Sequence, residues 1–249
     1  MRDAEILGVS FDALTEEEAA SLLFEKIKKR DVADPPASMV TPNPLTVMRT
    51  VKGDVRLLSC LNSADISLPD GIGIVSAAAR KGVDLRGRAT GIGTAERLLA
   101  LLAETGGSVY IFGGKPGVAE AAAANLSKRF PGLSVAGTGH GYRPEADYPA
   151  IAAEIAALKP DFVAVCLGSP RQEYFIGEYL SQTRGPGAAV GLGGSADVWA
   201  GKVRRCPAFI RKIRLEWLWR MLIEPRRFSA LPDLVRFRLL TRKRARKSN

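Results

Sequence analysis

Short apolar runs alternate along the chain with segments in which apolar residues recur at helical spacing. Each run is bounded by Gly, Pro or polar residues, as is typical of strands that are buried on both faces of a parallel sheet. The intervening segments carry apolar residues at intervals of three or four, the period of an amphipathic helix. The predicted strands are EILGV (5–9), SMVT (38–41), ADISLP (64–69), SVYIFGG (108–114), LSVAGTG (133–139), DFVAVCLG (161–168) and GAAVGLGG (187–194).

Helix signals fill the spaces between these strands. Thr15 and Glu18 have the spacing of a capping box, which predicts a helix that ends near Arg30. This alternation predicts an α/β fold with a Rossmann-like, mostly parallel sheet and helices on both faces. We assign residues 1–198 to this α/β domain. Further helices are predicted over residues 71–82, 93–104, 116–130 (with Pro116 in the first turn) and 145–158.

Positive charge is concentrated near the C-terminus. Residues 202–249 hold 16 Lys/Arg against 3 Asp/Glu, whereas residues 1–201 are net negative and the whole chain has a net charge of +10. We therefore assign residues 199–249 to a basic helical appendage. Such asymmetry predicts an acidic partner, which would be nucleic acid, anionic lipid or phosphate; the alternative is a solvated basic tail without a partner.

Two segments of this appendage have the character of membrane-binding helices. Residues 208–223 mix Trp, Leu, Ile and Arg, which fits an interfacial membrane helix and equally a helix packed on the main domain. In residues 234–249 the clustered Lys and Arg favour the membrane, because each attracts anionic lipid by ~1 kcal/mol. Four apolar residues share one face of the first segment: Leu215, Leu218, Trp219 and Leu222.

The remaining composition indicates the cellular setting. The N-terminus is acidic by residue 5 and lacks the apolar core of a signal peptide. No apolar run approaches the ~20 residues that span a bilayer, so we expect a cytoplasmic protein whose membrane contact is peripheral. The three cysteines show neither a disulfide framework nor zinc-ligand spacing, and Cys166 is expected to be a small core residue.

Asp70 is the leading candidate for catalysis. It follows the strand predicted at residues 64–69, and ligands of open parallel sheets bind beyond the carboxyl ends of the strands. A hydroxyl that acts as a nucleophile needs a base to take its proton, and a carboxylate at this edge is placed to act. The alternative is structural, because Asp in a Pro–Asp–Gly turn often accepts hydrogen bonds from its own backbone.

Other polar groups follow neighbouring strands. Thr41 and Asn43 are candidates to orient a ligand, or to cap the following helix. Gln172 has no evident structural duty and is expected to contact the ligand. Glu173 is a further candidate for substrate binding, although a carboxylate in a first turn also suits the helix dipole.

The glycine loop after the strand at 108–114 offers the backbone N–H groups of Gly113 and Gly114 to a phosphate, and a plain tight turn is an equal alternative. The sequence has no D-x-D triplet and a single histidine, His140, which we interpret as a loop residue. We therefore expect chemistry without a metal or other cofactor. Arginines, backbone N–H groups and a helix terminus would then neutralise the negative charge of a phosphate-containing ligand.

Seven ordered blocks make the chain resemble the WecG/TagA/CpsF family of glycosyltransferases along nearly its whole length. Together the blocks are specific, whereas each loop by itself is a weak signal. The blocks are TPNPLTVM (41–48), ADISLPDGIGIVSAAARKG (64–82), VYIFGGKPGVAEAAA (109–123), GTGHGY (137–142), KPDFVAVCLGSPRQE (159–173), GLGGSADVWAGKVRRCP (191–207) and LEWLWRMLIEPRR (215–227).

The resemblance implies an inverting, metal-independent transfer from a UDP-sugar to an undecaprenyl-diphosphate-linked saccharide in cell-surface polysaccharide synthesis. The donor sugar would be of the N-acetylmannosamine or glucose type. The resemblance also implies that the appendage docks on the anionic inner face of the cytoplasmic membrane. The residues it implies are Asp70 as general base, Thr41, Asn43 and Gln172 as substrate contacts, Arg88 near the active site, and Arg214, Arg220, Arg226 and Arg227 as candidates to bind the lipid diphosphate.

Three positions depart from the family pattern. Gly93 stands where an acidic residue often follows Gly91, and this difference puts the identity of the donor sugar in doubt. Ala196 replaces an aromatic residue and Cys206 replaces a small alanine, and both changes concern packing at the junction with the appendage.

Two rival functions come from different classes. A nucleic-acid-binding protein would use the basic C-terminus, and its salt-sensitive binding would be lost on removal of residues 202–249. That rival leaves the polar loops unexplained, so we expect no nucleic-acid partner. A nucleotide-sugar sensor would bind the donor without turnover. The sequence leaves open whether the chain works alone or as a homo-oligomer.

Overall fold

A computed structural model describes residues 3–31, 33–203 and 229–245 of the chain. The strands in these residues are β1 (Ala4–Ile6), β2 (Val9–Phe11), β3 (Ala37–Val40), β4 (Ile66–Ser67), β5 (Ser108–Gly113), β6 (Ser134–Gly139), β7 (Phe162–Cys166) and β8 (Ala188–Gly191). Strands β3 to β8 form one sheet in the order β4-β3-β8-β7-β5-β6, in which every neighbouring pair is parallel. This sheet confirms the predicted α/β fold.

Helices cover both faces of the sheet, as predicted. They are α1 (Glu16–Lys29), α2 (Pro44–Val51), α3 (Val55–Ser63), α4 (Ile72–Ala79), α5 (Gly91–Glu104), α6 (Val118–Arg129), α7 (Tyr148–Leu158), α8 (Arg171–Tyr174), α9 (Ser195–Trp199) and α10 (Leu231–Ala245). A π-helical turn (Phe175–Tyr179) and a 3-10 turn (Leu180–Gln182) continue α8, and another 3-10 turn (Glu145–Asp147) precedes α7.

The core follows from the alternation of side chains along buried strands. Ile111 packs on one face of the sheet with residues of α1, α5, α6 and α9. Its neighbours Tyr110 and Phe112 point to the other face, where α7 and the π-helical turn cover them. A third cluster joins the β1–β2 hairpin, α2, α3, α4 and α10. Cys166 is buried in the first cluster, as predicted.

Several element boundaries differ from the prediction. The run EILGV is not one strand, because Leu7 and Gly8 adopt positive φ angles of 55° and 91° and turn the chain into the β1–β2 hairpin. The strand at 64–69 is only two residues long. Helix α6 begins two residues after Pro116, at a cap formed by Gly117 with a φ of 82°.

Helix α10 packs on the main domain through one face. Phe237 is 3% exposed and lies in the same cluster as residues of α2 and α4. Lys52 forms a salt bridge with Asp233 at 2.6 Å, and Arg80 donates a hydrogen bond to Thr241 at 3.0 Å. Helix α10 therefore contacts the domain, and the membrane contact predicted for residues 234–249 stays a prediction. Its opposite face remains exposed.

Other parts of the appendage lie outside the described residues. These are the amphipathic segment predicted at 208–223 and the candidate diphosphate ligands Arg214, Arg220, Arg226 and Arg227. In the part of the chain that the structure describes, no helix is long and apolar enough to span a bilayer.

Candidate active site

Asp70 and Arg88 form an ion pair at the carboxyl edge of the sheet. Asp70 lies three residues after the end of β4. Its backbone N–H donates a hydrogen bond to the Pro42 carbonyl, which connects this turn to the loop after β3. Nε and Nη2 of Arg88 lie 3.0 and 2.9 Å from the same oxygen of Asp70, Oδ1. The two side chains are 22% and 25% exposed, so a ligand at this edge could reach the carboxylate.

The loop after β3 carries Thr41 and Asn43 next to this pair. Asn43 caps α2, since its Oδ1 accepts hydrogen bonds from the backbone N–H groups of Leu45 and Thr46 at 2.9 and 3.1 Å. This is the structural alternative considered for Asn43, and it leaves the Nδ2 amide out of the cap. Thr41 faces the first turn of α5, because a Cβ atom built on Gly91 would lie 3.2 Å from its Oγ1.

Gln172 has a structural duty that its sequence context did not reveal. Its Oε1 accepts a hydrogen bond from the backbone N–H of Gly193 at 2.8 Å, and its Nε2 donates to Oε1 of Glu173 at 3.1 Å. Gly191 is essential to this arrangement, because a Cβ atom there would lie 2.8 Å from Nε2 of Gln172. Gln172 is therefore fixed across the end of β8, the neighbour of β3 in the sheet.

Glu173 is buried behind Gln172, with only 4% of its surface exposed. Its Oε2 has no hydrogen-bond partner among the described residues. Burial raises the pKa of this carboxyl group, and the hydrogen bond from Gln172 opposes that effect. The side chain lines a cavity of about 280 Å³ between α3, β3 and the π-helical turn. Its role as a substrate ligand stays a prediction.

Cys60 lines the same cavity. Burial and the neighbouring negative charge of Glu178 raise the pKa of its thiol to about 12, so the thiol stays protonated near neutral pH. A Cβ atom on Gly177 would lie 2.9 Å from Sγ, which shows how closely the π-helical turn approaches α3. Arg56 bridges the two elements at the surface through an ion pair with Glu178.

Gly113 and Gly114 allow β5 to end close to β7. The N–H of Gly114 donates to the Cys166 carbonyl at 3.3 Å, and a Cβ atom on Gly113 would lie 2.2 Å from the same oxygen. One of the two N–H groups proposed for phosphate binding is thus engaged in the fold. The connections leave β5 and β7 in opposite directions, which makes this crevice the topological switch point where ligands of such sheets bind.

The segment that carries Arg88 is anchored by a residue that the sequence reasoning missed. Glu16, in the first turn of α1, accepts hydrogen bonds from the backbone N–H and the hydroxyl of Thr90. The two residues are separated by 74 positions, so no local spacing could reveal the contact. The sequence does hold one indication of it. Helix α5 begins with Thr90 as its N-cap but has Gly93 at the position where a capping box has a carboxylate.

His140 lies in the loop after β6, as predicted, and its Nδ1 is buried without a hydrogen-bond partner in the described residues. Across residues 3–31, 33–203 and 229–245, no three His, Cys, Asp or Glu side chains form a group that could bind a metal ion.

The carboxyl edge of this parallel α/β sheet brings together a carboxylate, an arginine, a hydroxyl and two amides, which are groups that can bind a ligand and move a proton. Comparison with known families makes the class specific. The Glycosyl transferase WecG/TagA/CpsF family matches residues 4–249, and the chain belongs to this family.

Individual relatives narrow the comparison. The chain is 35% identical over 201 residues to the N-acetylglucosaminyldiphosphoundecaprenol N-acetyl-beta-D-mannosaminyltransferase of Bacillus spizizenii. The aligned residues make up 81% of this chain and 77% of the relative. It is 31% identical to the Bacillus subtilis protein of the same name over 203 residues, or 82% and 78% of the two chains. It is also 31% identical to the Staphylococcus aureus protein of that name over 245 residues, or 98% and 93%.

Proposed function

We propose that this protein transfers a sugar of the N-acetylmannosamine or glucose type from a UDP-sugar to an undecaprenyl-diphosphate-linked saccharide. The transfer inverts the anomeric centre, needs no metal ion, and takes place at the inner face of the cytoplasmic membrane. The acceptor class is supported by the names of the Bacillus and Staphylococcus relatives. The observation that carries the proposal is the Asp70–Arg88 pair at the ligand edge of the sheet.

The reaction is a single displacement. The acceptor hydroxyl oxygen forms a bond to the anomeric carbon as the bond from that carbon to the diphosphate oxygen breaks on the opposite face. The hydroxyl proton passes to Asp70, and the electron pair of the broken bond stays on the departing diphosphate. Nε and Nη2 of Arg88 both contact Oδ1 of Asp70, so we assign the proton transfer to Oδ2.

The neighbouring residues orient the reactants. Thr41 offers a hydroxyl, and Asn43 offers an Nδ2 amide that takes no part in capping α2. Gln172 is held by Gly193 and Glu173, so its orientation is set before a ligand arrives. Preorganised groups of this kind contribute to catalysis because no further entropy is lost in orienting them when the transition state forms.

The decisive experiment replaces Asp70 with Asn. The substitution retains the size and one acceptor oxygen of the side chain but removes the base, so transfer should fall by about 10²- to 10⁴-fold. Release of UDP would be measured with a panel of UDP-sugars and an acceptor analogue that carries N-acetylglucosamine on a polyprenyl diphosphate. Calorimetric titration with UDP would show that the variant still binds nucleotide.

Asp34→Asn is the matched control, because Asp34 lies in an exposed turn. It should transfer sugar at the wild-type rate. If Asp70→Asn stays within a few-fold of the wild type, Asp70 is not the base. If the wild type binds UDP-sugar but never releases UDP, the protein is a sensor and the proposed transfer is wrong.

The exposed face of α10 supports attachment to a membrane. Leu231, Val235 and Leu239 are 37%, 57% and 60% exposed, and their spacing of four residues puts them on one face. Arg238 and Arg242 fall on the same face and are exposed. An apolar row flanked by arginines is typical of helices that lie in the interface of anionic membranes.

A cluster of arginines strengthens this surface. The pKa of Arg80 is lowered by burial and by the positive charges of Arg242 and Arg238, and its Nε has no partner within the described ranges. The repulsion between these like charges destabilises the free protein, and a bound anion would reduce it. Lipid phosphates would supply that anion, with about 1 kcal/mol for each cation at the surface.

Sedimentation with vesicles tests the attachment. The wild type should bind vesicles that contain phosphatidylglycerol and fail to bind pure phosphatidylcholine, and the double variant Arg238→Glu/Arg242→Glu should lose most of that binding. Val55→Ser is the control, since Val55 is 73% exposed on α3 and should have no effect. Equal binding by the charge-reversed variant would refute a role for this face.

A further inference from the structure

Helix α5 begins with an incomplete capping box. In a complete box, the N-cap Thr accepts a hydrogen bond from the backbone N–H of the third helical residue, and a Glu at that third position accepts one from the N-cap N–H. Thr90 fulfils the first half, since its hydroxyl accepts from the N–H of Gly93 at 3.1 Å. Gly93 has no side chain, so it cannot fulfil the second half.

Glu16 of α1 supplies the missing carboxylate. Its Oε1 accepts from the N–H of Thr90 at 3.0 Å and from the Thr90 hydroxyl at 2.5 Å. Its Oε2 accepts from Arg97, one turn further along α5, at 2.7 Å. The carboxylate occupies the place of a side chain at residue 93, because a Cβ atom built on Gly93 would lie 2.3 Å from both of its oxygens.

Helix α1 provides an internal comparison. Its own capping box is complete, with Thr15 bonded to the N–H of Glu18 and the Glu18 carboxylate bonded to the N–H of Thr15. In α5 the same two bonds exist, but the carboxylate comes from another helix. The glycine at 93 and the glutamate at 16 therefore form one structural unit, which accounts for the departure of Gly93 from the acidic residue expected there.

This unit holds the segment that carries Arg88. Arg88 contacts Asp70, Ala89 is 1% exposed in the core, and Thr90 is bonded to Glu16, so three consecutive residues are fixed in three directions. We infer that Glu16 is a positioning residue, which completes the cap of α5 from outside and thereby sets Arg88 against Asp70. The inference rests on the proposed function only in the role it gives to Arg88.

The test is a cycle of substitutions at positions 16 and 93. Glu16→Ala should lower the thermal midpoint by about 2–4 °C, the shift expected when a cap is lost from a domain of this size. It should lower kcat for sugar transfer by roughly tenfold or more, with little change in KM, because Glu16 has no substrate contact in the proposed site. Gly93→Glu alone should also be harmful, since its side chain meets the Glu16 carboxylate.

The double variant Glu16→Ala/Gly93→Glu restores the carboxylate within α5 and should recover most of the midpoint and of kcat. Glu16→Ala/Gly93→Ala controls for the removal of a helical glycine and should recover clearly less. Glu17→Ala is the matched control for Glu16→Ala, because Glu17 also pairs with Arg97 but does not touch Thr90. It should leave kcat unchanged.

The inference is overturned if the effects at 16 and 93 simply add, if the alanine double variant recovers as well as the glutamate one, or if Glu17→Ala matches Glu16→Ala. The thermal midpoints are measured without substrate. A wild-type enzyme that never transfers sugar would therefore contradict the proposed function, while the midpoints would still decide whether Glu16 completes the cap.

Discussion

The carboxyl group of Glu173 should make the stability of the protein fall as the pH rises. It is 4% exposed, Oε2 lacks a partner in the described structure, and burial raises its pKa above the ordinary value of 4.5. The folded protein therefore holds this proton more tightly than the unfolded chain does. Its stabilising effect is complete below pH 4.5 and is lost as the pH rises through the folded-state pKa.

Glu173→Gln isolates this effect. The amide retains an Oε1 acceptor for Nε2 of Gln172 and cannot ionise, so the variant lacks the penalty that the wild type acquires. Each unit by which the folded pKa exceeds 4.5 should add about 1.4 kcal/mol to the advantage of the variant at neutral pH. Below pH 4.5 the difference between the two proteins should be constant.

Urea unfolding between pH 4 and 8 measures this difference. Glu145→Gln is a control of opposite sign, because hydrogen bonding and charge from Arg56 lower the pKa of Glu145. The wild type should hold its advantage over Glu145→Gln above pH 4.5 and lose it as the pH falls through the folded pKa. A Glu173→Gln advantage that does not change with pH would refute a pKa of Glu173 raised by burial.

Three further predictions concern the rim of the site and its reagents. Gly73→Ala should cost about 1–3 kcal/mol of stability in urea unfolding and slow transfer, because the new Cβ atom would lie 2.8 Å from Cγ of Pro44. Gly194→Ala is its control and should leave urea unfolding unchanged, because its Cβ atom would meet nothing within 4 Å. Phe237→Ala should cost about 3–5 kcal/mol in urea unfolding, whereas Leu239→Ala on the exposed face should cost little. Excess EDTA should leave the rate of UDP release unchanged, and inhibition that magnesium reverses would disprove metal-free transfer.

The fold was predictable because its strands are buried on both faces. The runs at β5, β7 and β8 are continuous and apolar, and all three strands were predicted from them. The prediction was wrong at residues 5–9, where Leu7 adopts a left-handed conformation that is rare for a leucine. Only the hairpin that encloses this turn makes such a conformation acceptable, and hairpin pairing is not visible in an apolar run.

The site was predictable only in part. Asp70, Thr41 and Asn43 follow strands, so strand ends locate them at one edge. The bond from Gly193 to Gln172, by contrast, depends on β7 and β8 being neighbours in the sheet. The contact of Glu16 with Thr90 likewise depends on how α1 packs against α5. These contacts join residues that are distant in the sequence, so they depend on the topology of the fold and cannot be predicted from local sequence spacing.

Helix α10 links the proposed membrane surface to the proposed base. Its outer face carries Val235 and Leu239, while its inner face places Phe237 3.6 Å from the position of a Cβ atom on Gly73. Gly73 lies three residues after Asp70 and packs against Pro44, the residue after Asn43. One layer of close-packed side chains therefore connects α10 to both loops of the site. Because such packing yields little to compression, attachment of α10 to a bilayer would hold the Asp70 turn at a fixed depth below the lipid surface.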